Sequence, residues 1–372
     1  MTQSFLEGNE AIARGAMAAG CRFFAGYPIT PATSIYQQML QLLPPAGGVC
    51  MQGEDEIASI GFCLGASMAG AKAMTATSGP GISLYSEQIS FAIGGEIPLV
   101  IVDVQRLGPS TGSATKGADG DIQFLRWGNS GGMPVIVLAP VDVRDCFLLT
   151  IDAFNLAERY RCPVFIASNK EIGMTRENVD LDSLPVPNLE ERLTCPEGFP
   201  GGPFTPLSGR NVPSFFPVGG EKLSRQTSST HGEDGYITTD PAAIEAGILR
   251  MEAKLLGAIS DFSYHEYDGT ADDSILLVVY GVTARAAKRA VGELRRLGYK
   301  VALLILKTLY PVPEACIRRH LQGKSRVVVI EMNLGQYVRE IERLAGGLPV
   351  SFYGRMNGEL IRPEDIVEKV MS

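Results

Sequence analysis

The chain has 372 residues, 45% of them hydrophobic and 20% charged, and its formal net charge is −8. This length exceeds what one hydrophobic core usually serves, so it predicts two or three globular domains. The acidic balance and the lack of a basic tract exclude a nucleic-acid-binding role on electrostatic grounds.

The opening residues, MTQSFLEGNEAIARG, contain no basic region followed by an apolar stretch, so we expect no signal peptide. No apolar run reaches membrane-spanning length, and we expect no contact with a membrane. The seven cysteines are scattered without a C-x-x-C pair, which indicates a reducing compartment such as the cytoplasm and argues against an iron–sulfur cluster held by this chain alone. The three histidines, His231, His265 and His320, show no ligand spacing, so we predict no metal site.

Strand and helix patterns alternate through the first part of the chain. The predicted strands cover residues 22–25, 49–52, 71–76, 98–103, 134–138 and 164–168. Asn9 is predicted to cap the first helix and Pro31 to open the second. This alternation predicts an α/β domain over residues 1–175 with a mostly parallel sheet covered on both faces.

One predicted helix, over residues 55–69, carries only small residues on one of its faces. Those residues are Ala58, Gly61, Gly65 and Ala69. Because small side chains let another backbone come near, we expect another surface to pack very close to this face.

The segment 176–240 has a different character, with Pro-Gly clusters, polar runs and no periodicity. These features are typical of a linker or a functional loop. Phe204, Phe215 and Phe216 would be poor choices for a free tether, so we expect the segment to be ordered against a partner. We expect a structural role for His231, with contact to an active site as the alternative.

A second α/β unit is predicted over residues 241–372. It begins with a helix over 241–259 and continues with alternating elements. The predicted strands are 274–280, 301–305, 327–331 and a short one near 351, and the predicted helices are 284–297, 313–320, 336–344 and one that starts at 363. This pattern again favours a parallel sheet.

Four loops of the first domain follow predicted strands, and the carboxyl edge of an open α/β sheet is where ligands bind. They are Gly26-Tyr27-Pro28-Ile29-Thr30-Pro31, Gln52-Gly53-Glu54-Asp55-Glu56, Thr77-Ser78-Gly79-Pro80-Gly81 and Gln105-Arg106-Leu107-Gly108-Pro109-Ser110-Thr111-Gly112. With the segments 153–158 and 331–336, these loops resemble the alpha subunits of 2-oxoacid:ferredoxin oxidoreductases of the 2-oxoglutarate or branched-chain type, along nearly the whole chain.

The resemblance implies a pyrimidine-type thiamine diphosphate domain followed by a transketolase-C-terminal-like domain. It also implies a beta subunit that binds the diphosphate and carries Mg²⁺ and an iron–sulfur cluster. The present chain lacks the G-D-G motif of a diphosphate half, since Ile122 follows Gly120 and Asp121. An α₂β₂-type assembly is implied, with gamma and delta subunits as further candidates.

The resemblance assigns Glu56 as the catalytic carboxyl that hydrogen-bonds the pyrimidine N1′ of thiamine, so that the 4′-amino group becomes basic enough to deprotonate the thiazolium C2. Glu54 and Asp55 are alternatives on the same turn. The plainer interpretation of Glu56 is a carboxylate favoured by the positive end of a helix dipole.

The family's substrate-carboxylate contacts fall on Thr30 and Arg106, a hydroxyl beside a guanidinium that can bind a carboxylate bidentately. The cofactor pocket falls on Tyr27, Pro28, Ile29, Thr30, Glu56, Ser78 and Gly79. The alternatives are a surface cation for Arg106 and turn residues for Thr30, Ser78 and Gly79.

Lys116 is a candidate for binding a second substrate carboxylate, and a solvated lysine is the alternative. It favours a dicarboxylate such as 2-oxoglutarate, whereas the segment 154–161 favours a branched-chain 2-oxoacid. Pyruvate and aryl 2-oxoacids also stay open. Trp127, the only tryptophan, is expected in the core or an interface.

The implied reaction is the coenzyme A-dependent oxidative decarboxylation of a 2-oxoacid to an acyl-CoA and CO₂, with reduction of ferredoxin. One alternative is a subunit of a split thiamine-dependent decarboxylase or transketolase-like enzyme without electron transfer. The other is a scaffold that keeps the fold and has lost catalysis.

Overall fold

A computed structural model describes residues 4–207 and 209–372 of the protein. The strands are β1 (Ser4–Glu7), β2 (Phe23–Gly26), β3 (Val49–Gln52), β4 (Ala73–Thr77), β5 (Leu99–Gln105), β6 (Ile136–Leu138), β7 (Pro163–Asn169), β8 (Arg176–Val179), β9 (His265–Asp268), β10 (Ile275–Tyr280), β11 (Val301–Leu306), β12 (Thr308–Tyr310), β13 (Arg326–Glu331) and β14 (Val350–Gly354).

The helices are α1 (Gly8–Ala18), α2 (Thr33–Leu42), α3 (Glu56–Met68), α4 (Pro80–Leu84), α5 (Ser86–Gly94), α6 (Ile122–Trp127), α7 (Val143–Tyr160), α8 (Lys170–Met174), α9 (Pro241–Leu256), α10 (Thr283–Arg296), α11 (Glu314–Leu321), α12 (Val338–Leu344) and α13 (Pro363–Met371). None of those in the described part of the chain combines the length and the hydrophobicity that crossing a membrane requires.

The N-terminal sheet has the strand order β12-β6-β7-β5-β4-β2-β3. Its strands run parallel except for β12. Strands β5 and β7 are buried along their whole length, as expected for central parallel strands with helices on both faces. The predicted α/β class with a mostly parallel sheet covered on both faces is confirmed.

The C-terminal sheet has the order β14-β13-β10-β11-β9, with β9 antiparallel at one edge. Helix α10 covers it through small and apolar residues spaced for one helix face, among them Ala287, Ala290 and Leu294. The edge strands β9 and β12 were not predicted. The division at residues 175 and 240 stays a prediction about domains.

Strand β12 joins the two sheets, because it belongs by sequence to the second unit but pairs with β6 of the first. The backbone N–H of Ala139 also donates to the carbonyl of Lys307 at 2.7 Å. Lys307 then forms ion pairs with Asp145 at 2.8 Å and Glu266 at 2.7 Å. The end of β6 is therefore completed by a later part of the chain.

The segment 176–240 is anchored on this chain itself, which corrects the expectation that its phenylalanines order it against a partner. Phe204, Phe215 and Phe216 are all buried. The guanidinium of Arg192 lies 4.4 Å from the centroid of the Phe215 ring. Packing within the chain thus accounts for these aromatic residues.

Buried ion pairs fix the same segment. Arg192 donates two hydrogen bonds to the Glu158 carboxylate, at 2.6 and 2.8 Å. Glu96 accepts from Lys254 at 2.7 Å and from Arg250 at 3.0 Å. Arg161 donates to the carbonyl oxygens of Glu96 and Ser214. We call this cluster the linker anchor, and its charged residues are Glu96, Glu158, Arg161, Arg192, Arg250 and Lys254.

His231 has the structural role that the sequence favours. Its ring lies against that of Phe204, with centroids 3.8 Å apart and the ring planes tilted by 37°. Its two ring nitrogens lie within hydrogen-bond distance of the carbonyls of Gly232 and Gly94, at 2.9 and 3.3 Å.

Two predicted helix starts were wrong. Asn9 lies inside α1, whose N-cap is Glu7, and its amide donates to the carbonyl of Pro31 at 2.9 Å and to Ser34 Oγ at 2.8 Å. Pro31 precedes α2 by two residues, and Ala32 is the N-cap. The tertiary hydrogen bonds of Asn9 outweigh its local capping preference, and they fix the loop that follows β2.

Candidate active site

The four loops singled out in the sequence gather at one edge of the N-terminal sheet. They follow β2, β3, β4 and β5, which are consecutive neighbours in the order β5-β4-β2-β3 and run parallel. The carboxyl ends of parallel neighbours meet at the same edge, so the loops lie side by side.

Three carboxyl groups stand on the turn into α3, and the structure separates their roles. Glu54 is exposed, and Asp55 is the N-cap, with its side chain accepting from the Ala58 N–H at 2.7 Å. Glu56 begins the helix and is only 8% exposed. Capping thus occupies Asp55 and leaves Glu56 as the buried carboxyl.

Glu56 faces the loop after β4. A Cβ added to Gly81 would lie 3.0 Å from Glu56 Oε1 and 2.0 Å from Thr77 Oγ1, so a side chain at 81 would collide with both. The hydroxyls of Thr77 and Ser78 are buried and have no hydrogen-bond partner among the described residues. Such hydroxyls usually have one, so these two are available to a ligand.

Gly79 and Arg106 are in direct contact. Gly79 has φ +53°, and a Cβ there would lie 2.8 Å from Arg106 Nε. A side chain at this position would therefore be both strained and obstructed. Arg106 is 5% exposed and donates through Nη1 to the carbonyl of Thr30 at 2.6 Å. Its Nε has no partner among the described residues, so part of the guanidinium fork is available.

The remaining predicted cofactor residues lie on the loop after β2. Tyr27 and Thr30 are exposed, while Pro28 and Ile29 are half-buried. The Thr30 carbonyl, rather than its hydroxyl, holds Arg106. The structure therefore brings Thr30, Arg106 and Gly79 together on one side and Glu56, Thr77 and Gly81 on the other.

Sequence reasoning missed a group of buried acids behind Arg106. Burial, followed by the charge of Asp121, raises the pKa of Asp103 well above its ordinary value. Burial also raises the pKa of Asp121, while the Asp103 hydrogen bond and the Arg106 charge oppose this. Both carboxyls therefore favour the protonated form more than an exposed aspartate does, and the Arg106 charge opposes this at Asp121. An acidic residue inside the apolar run of β5 is the signal that identifies Asp103.

Asp119 is a third buried acid, and it lies where the two α/β units meet. Burial raises its pKa from 3.8 to about 7, although the Asn169 amide donates to it at 2.7 Å. Its backbone N–H donates to the Met332 carbonyl, and its own carbonyl accepts from Asn333. The loop after β5 is thus tied to the loop after β13.

Lys116 and Trp127 lie further out. Lys116 is exposed, its carbonyl accepts from the N–H of Leu107 at 2.8 Å, and its stem lies against Gly358. Trp127 is 57% exposed, and the Arg126 guanidinium lies over its ring. The expectation of a core position for Trp127 was therefore wrong, and a position in an interface stays a prediction.

The chain matches known proteins over nearly its whole length. Residues 14–245 match the family described as "Pyruvate flavodoxin/ferredoxin oxidoreductase, thiamine diP-bdg". Residues 273–366 match the "Pyruvate:ferredoxin oxidoreductase core domain II".

The 2-oxoglutarate synthase subunit KorA of Methanothermobacter marburgensis is 40% identical, over 99% of this chain and 98% of its own. The ketoisovalerate oxidoreductase subunit VorB of the same organism is 35% identical, over 100% and 97%. A solved structure of 2-oxoglutarate:ferredoxin oxidoreductase from Magnetococcus marinus, with 2-oxoglutarate, coenzyme A and succinyl-CoA bound, superimposes with a TM-score of 0.93 at 34% identity. The match covers 99% of this chain and 65% of that one.

Proposed function

We propose that this chain forms the pyrimidine side of a thiamine diphosphate site shared with a beta subunit, because it belongs to the 2-oxoacid:ferredoxin oxidoreductases as an alpha-type subunit. The complex would convert a 2-oxoacid, coenzyme A and two oxidised ferredoxins into an acyl-CoA, CO₂, a proton and two reduced ferredoxins. The observation that carries the proposal is the buried Glu56 carboxyl against Gly81, on the sheet edge that also presents Arg106.

The residues at this edge fit the pyrimidine ring of thiamine. Gly81 leaves the space in front of Glu56 free of a side chain, and Thr77 and Ser78 offer buried hydroxyls. Tyr27, Pro28 and Ile29 would border the ring from the loop after β2. When bound, thiamine supplies the carbon nucleophile for the keto group and accepts the electron pair released with CO₂.

Glu56 would act on the cofactor through one hydrogen bond. Its carboxyl would hydrogen-bond the pyrimidine N1′ and so favour the form of the ring in which the 4′-nitrogen is basic. Position matters more than charge here, because a proton must be shared over a hydrogen-bond distance. The short turn capped by Asp55 fixes Glu56 at the start of a helix rather than on a free loop.

Arg106 would bind the substrate carboxylate. Its hydrogen bond to the Thr30 carbonyl fixes one end of the guanidinium, and the contact with Gly79 fixes its side. The remaining N–H groups can donate to a carboxylate in a planar, charge-assisted arrangement. The exposed Thr30 hydroxyl would donate beside it.

We propose 2-oxoglutarate as the substrate, with Lys116 binding the distal carboxylate. Lys116 lies on the same loop as Arg106. In addition, the full-length relative KorA is named a 2-oxoglutarate synthase subunit. A branched-chain 2-oxoacid is the second candidate, favoured by the relative VorB. A Lys116→Met variant would raise the KM for 2-oxoglutarate and leave that for 2-oxoisovalerate unchanged if the first assignment holds.

The partners follow from what this chain leaves uncovered. On α3, no described atom lies within 4 Å of a Cβ built on Gly61 or Gly65, and Ile57 and Phe62 are 46% and 43% exposed. The close packing predicted for this face would therefore come from the beta subunit. That subunit would bring Mg²⁺ and the iron–sulfur cluster, in an α₂β₂-type assembly in the cytoplasm, with gamma and delta subunits as further candidates.

The test is a viologen-reduction assay on this chain purified with its native partners. Reduction that requires thiamine diphosphate, coenzyme A and one member of a 2-oxoacid panel would support the proposal and identify the substrate. Decarboxylation without viologen reduction, from a complex shown to contain iron–sulfur clusters, would instead support a split decarboxylase. The absence of both decarboxylation and viologen reduction would support a scaffold.

A further inference from the structure

Outside the candidate active site, three potential metal ligands come together that are far apart in the sequence. His265 begins β9, and Cys316 and His320 are one turn apart on α11. One ligand atom from each, a ring nitrogen or the Cys316 sulfur, lies within 4.8 Å of the other two. The spacing of the histidines gave no sign of this, although Cys-x-x-x-His on a helix places both side chains on one face.

We propose that His265, Cys316 and His320 bind a Zn²⁺ ion. A His₂Cys ligand set suits a borderline-soft divalent metal, and water would fill the fourth position of a tetrahedral site.

The distances between the ligands agree with tetrahedral coordination. Two nitrogens bound to the same zinc at 2.0–2.1 Å in a tetrahedron are about 3.3–3.4 Å apart. In this structure the Nε2 atoms of His265 and His320 are 3.5 Å apart. That separation is long for a hydrogen bond between the two rings and near the value that a shared ion requires.

The surroundings orient the two rings for binding. Ser263 has its carbonyl 2.9 Å from His265 Nδ1, so that nitrogen carries the proton and Nε2 keeps its lone pair toward the cluster. Tyr267 stacks on His320 with ring centroids 4.1 Å apart and planes 20° apart. Metal-ligating histidines characteristically donate their other ring N–H to such an acceptor, as His265 does here.

The position of the cluster separates the ion from the candidate active site. Residue His265 pairs with Leu306, just before β12. In the N-terminal sheet, β12 lies three strands from β5, which is about 14 Å at the usual strand spacing. The ion would thus tie the edge strand β9 to α11 beside the junction of the two sheets, away from Glu56 and Arg106.

The test is the zinc content of the complex, purified from zinc-supplemented cells and dialysed. We expect one zinc per chain, and its X-ray absorption at the zinc edge should show one sulfur at about 2.3 Å and two imidazole nitrogens at about 2.0–2.1 Å. This edge is not obscured by the iron of a partner's clusters. Cys316→Ser and, independently, His265→Gln should each lose the zinc.

Matched controls are Cys195→Ser and His231→Gln, which alter a cysteine and a histidine outside the cluster and should keep the zinc. Added Zn²⁺ should also raise the melting temperature of metal-stripped wild type and of Cys195→Ser, but not that of Cys316→Ser. Three results would overturn the proposal: a wild type that takes up no zinc, a wild type that binds copper in place of zinc, and an equal zinc content in all variants.

Discussion

The linker anchor and the loops after β4 and β5 both bury polar side chains, but they satisfy them differently. In the linker anchor, the Glu96 and Glu158 carboxylates accept hydrogen bonds from basic side chains. In the loops, Thr77 Oγ1, Ser78 Oγ and Arg106 Nε have no partner among the described residues. Each buried polar atom left unsatisfied costs about 1–3 kcal/mol. The linker anchor thus pairs its carboxylates within the chain, whereas the proposed function leaves these loop atoms to a ligand.

The acids of the two regions show the same contrast through their pKa values. Burial alone would raise the pKa of Glu96, but the charges of Lys254 and Arg250 lower it to about 2. Asp119, equally buried near the site, has its pKa raised to about 7. Equal burial therefore favours an ionised structural carboxylate in one place and a protonated carboxyl in the other.

The largest effect should come from Glu56→Gln, which removes the proton-sharing carboxyl and keeps the size of the side chain. We expect turnover in the viologen assay to fall by about 10²–10⁴-fold, the usual contribution of a positioned acid or base. Glu54→Gln, on the same turn but exposed, is the control and should keep full activity. Normal turnover in Glu56→Gln would contradict the assignment of Glu56 as the catalytic carboxyl.

Next in size is Glu96→Gln in the linker anchor. The substitution leaves Lys254 and Arg250 with uncompensated buried charges, so we expect a loss of about 3–5 kcal/mol in stability. A lowered melting temperature measured at pH 7 would show it, with the exposed Glu87→Gln as control. Because its pKa is lowered, the Glu96 contribution is present above its ordinary pKa of 4.5 and is lost as pH falls toward about 2.

Arg106→Lys should have a moderate effect that falls on substrate affinity. A lysine provides a point charge but cannot both hold the Thr30 carbonyl and bind a carboxylate bidentately. Loss of one charge-assisted hydrogen bond, about 1.5–3 kcal/mol, corresponds to a KM for the 2-oxoacid that is roughly 10- to 150-fold higher. An unchanged KM would contradict the role, and steady-state kinetics with the complex decide the matter.

The smallest effect is the pH dependence that Asp119 contributes. Since its folded pKa is raised to about 7, its contribution to stability is full below the ordinary value of 3.8 and declines as pH rises through about 7. Asp119→Asn keeps an oxygen for Asn169 and removes this titration. We expect its melting temperature to exceed that of wild type by more at pH 8 than at pH 5, because the wild type loses this contribution between pH 3.8 and about 7; a constant difference between the two pH values would argue against the assignment.

The sequence was sufficient for the parallel sheets and for the site edge, because both leave strong local signals. Long apolar runs mark β5 and β7, and the loops with glycine, proline and threonine mark the strand ends.

What the sequence could not show depends on contacts between distant residues. Asn9 is a residue type that favours helix N-caps, but its side-chain amide instead donates a hydrogen bond to the carbonyl of Pro31. The phenylalanines of residues 176–240 indicated order but not the surface that provides it. Likewise, the pairing of Asp103 with Asp121 and the meeting of His265 with Cys316 arise only when the chain has folded.

Strand β12 has a consequence for how the protein can be divided. A fragment that ends before residue 308 would retain β6 but lose the strand that covers its outer side. The exposed backbone groups of an apolar edge strand are a template for pairing with other chains. Such a fragment should aggregate even though it contains every residue of the proposed thiamine site. The two units therefore follow one another along the sequence, but the first should not be stable in solution without β12 of the second.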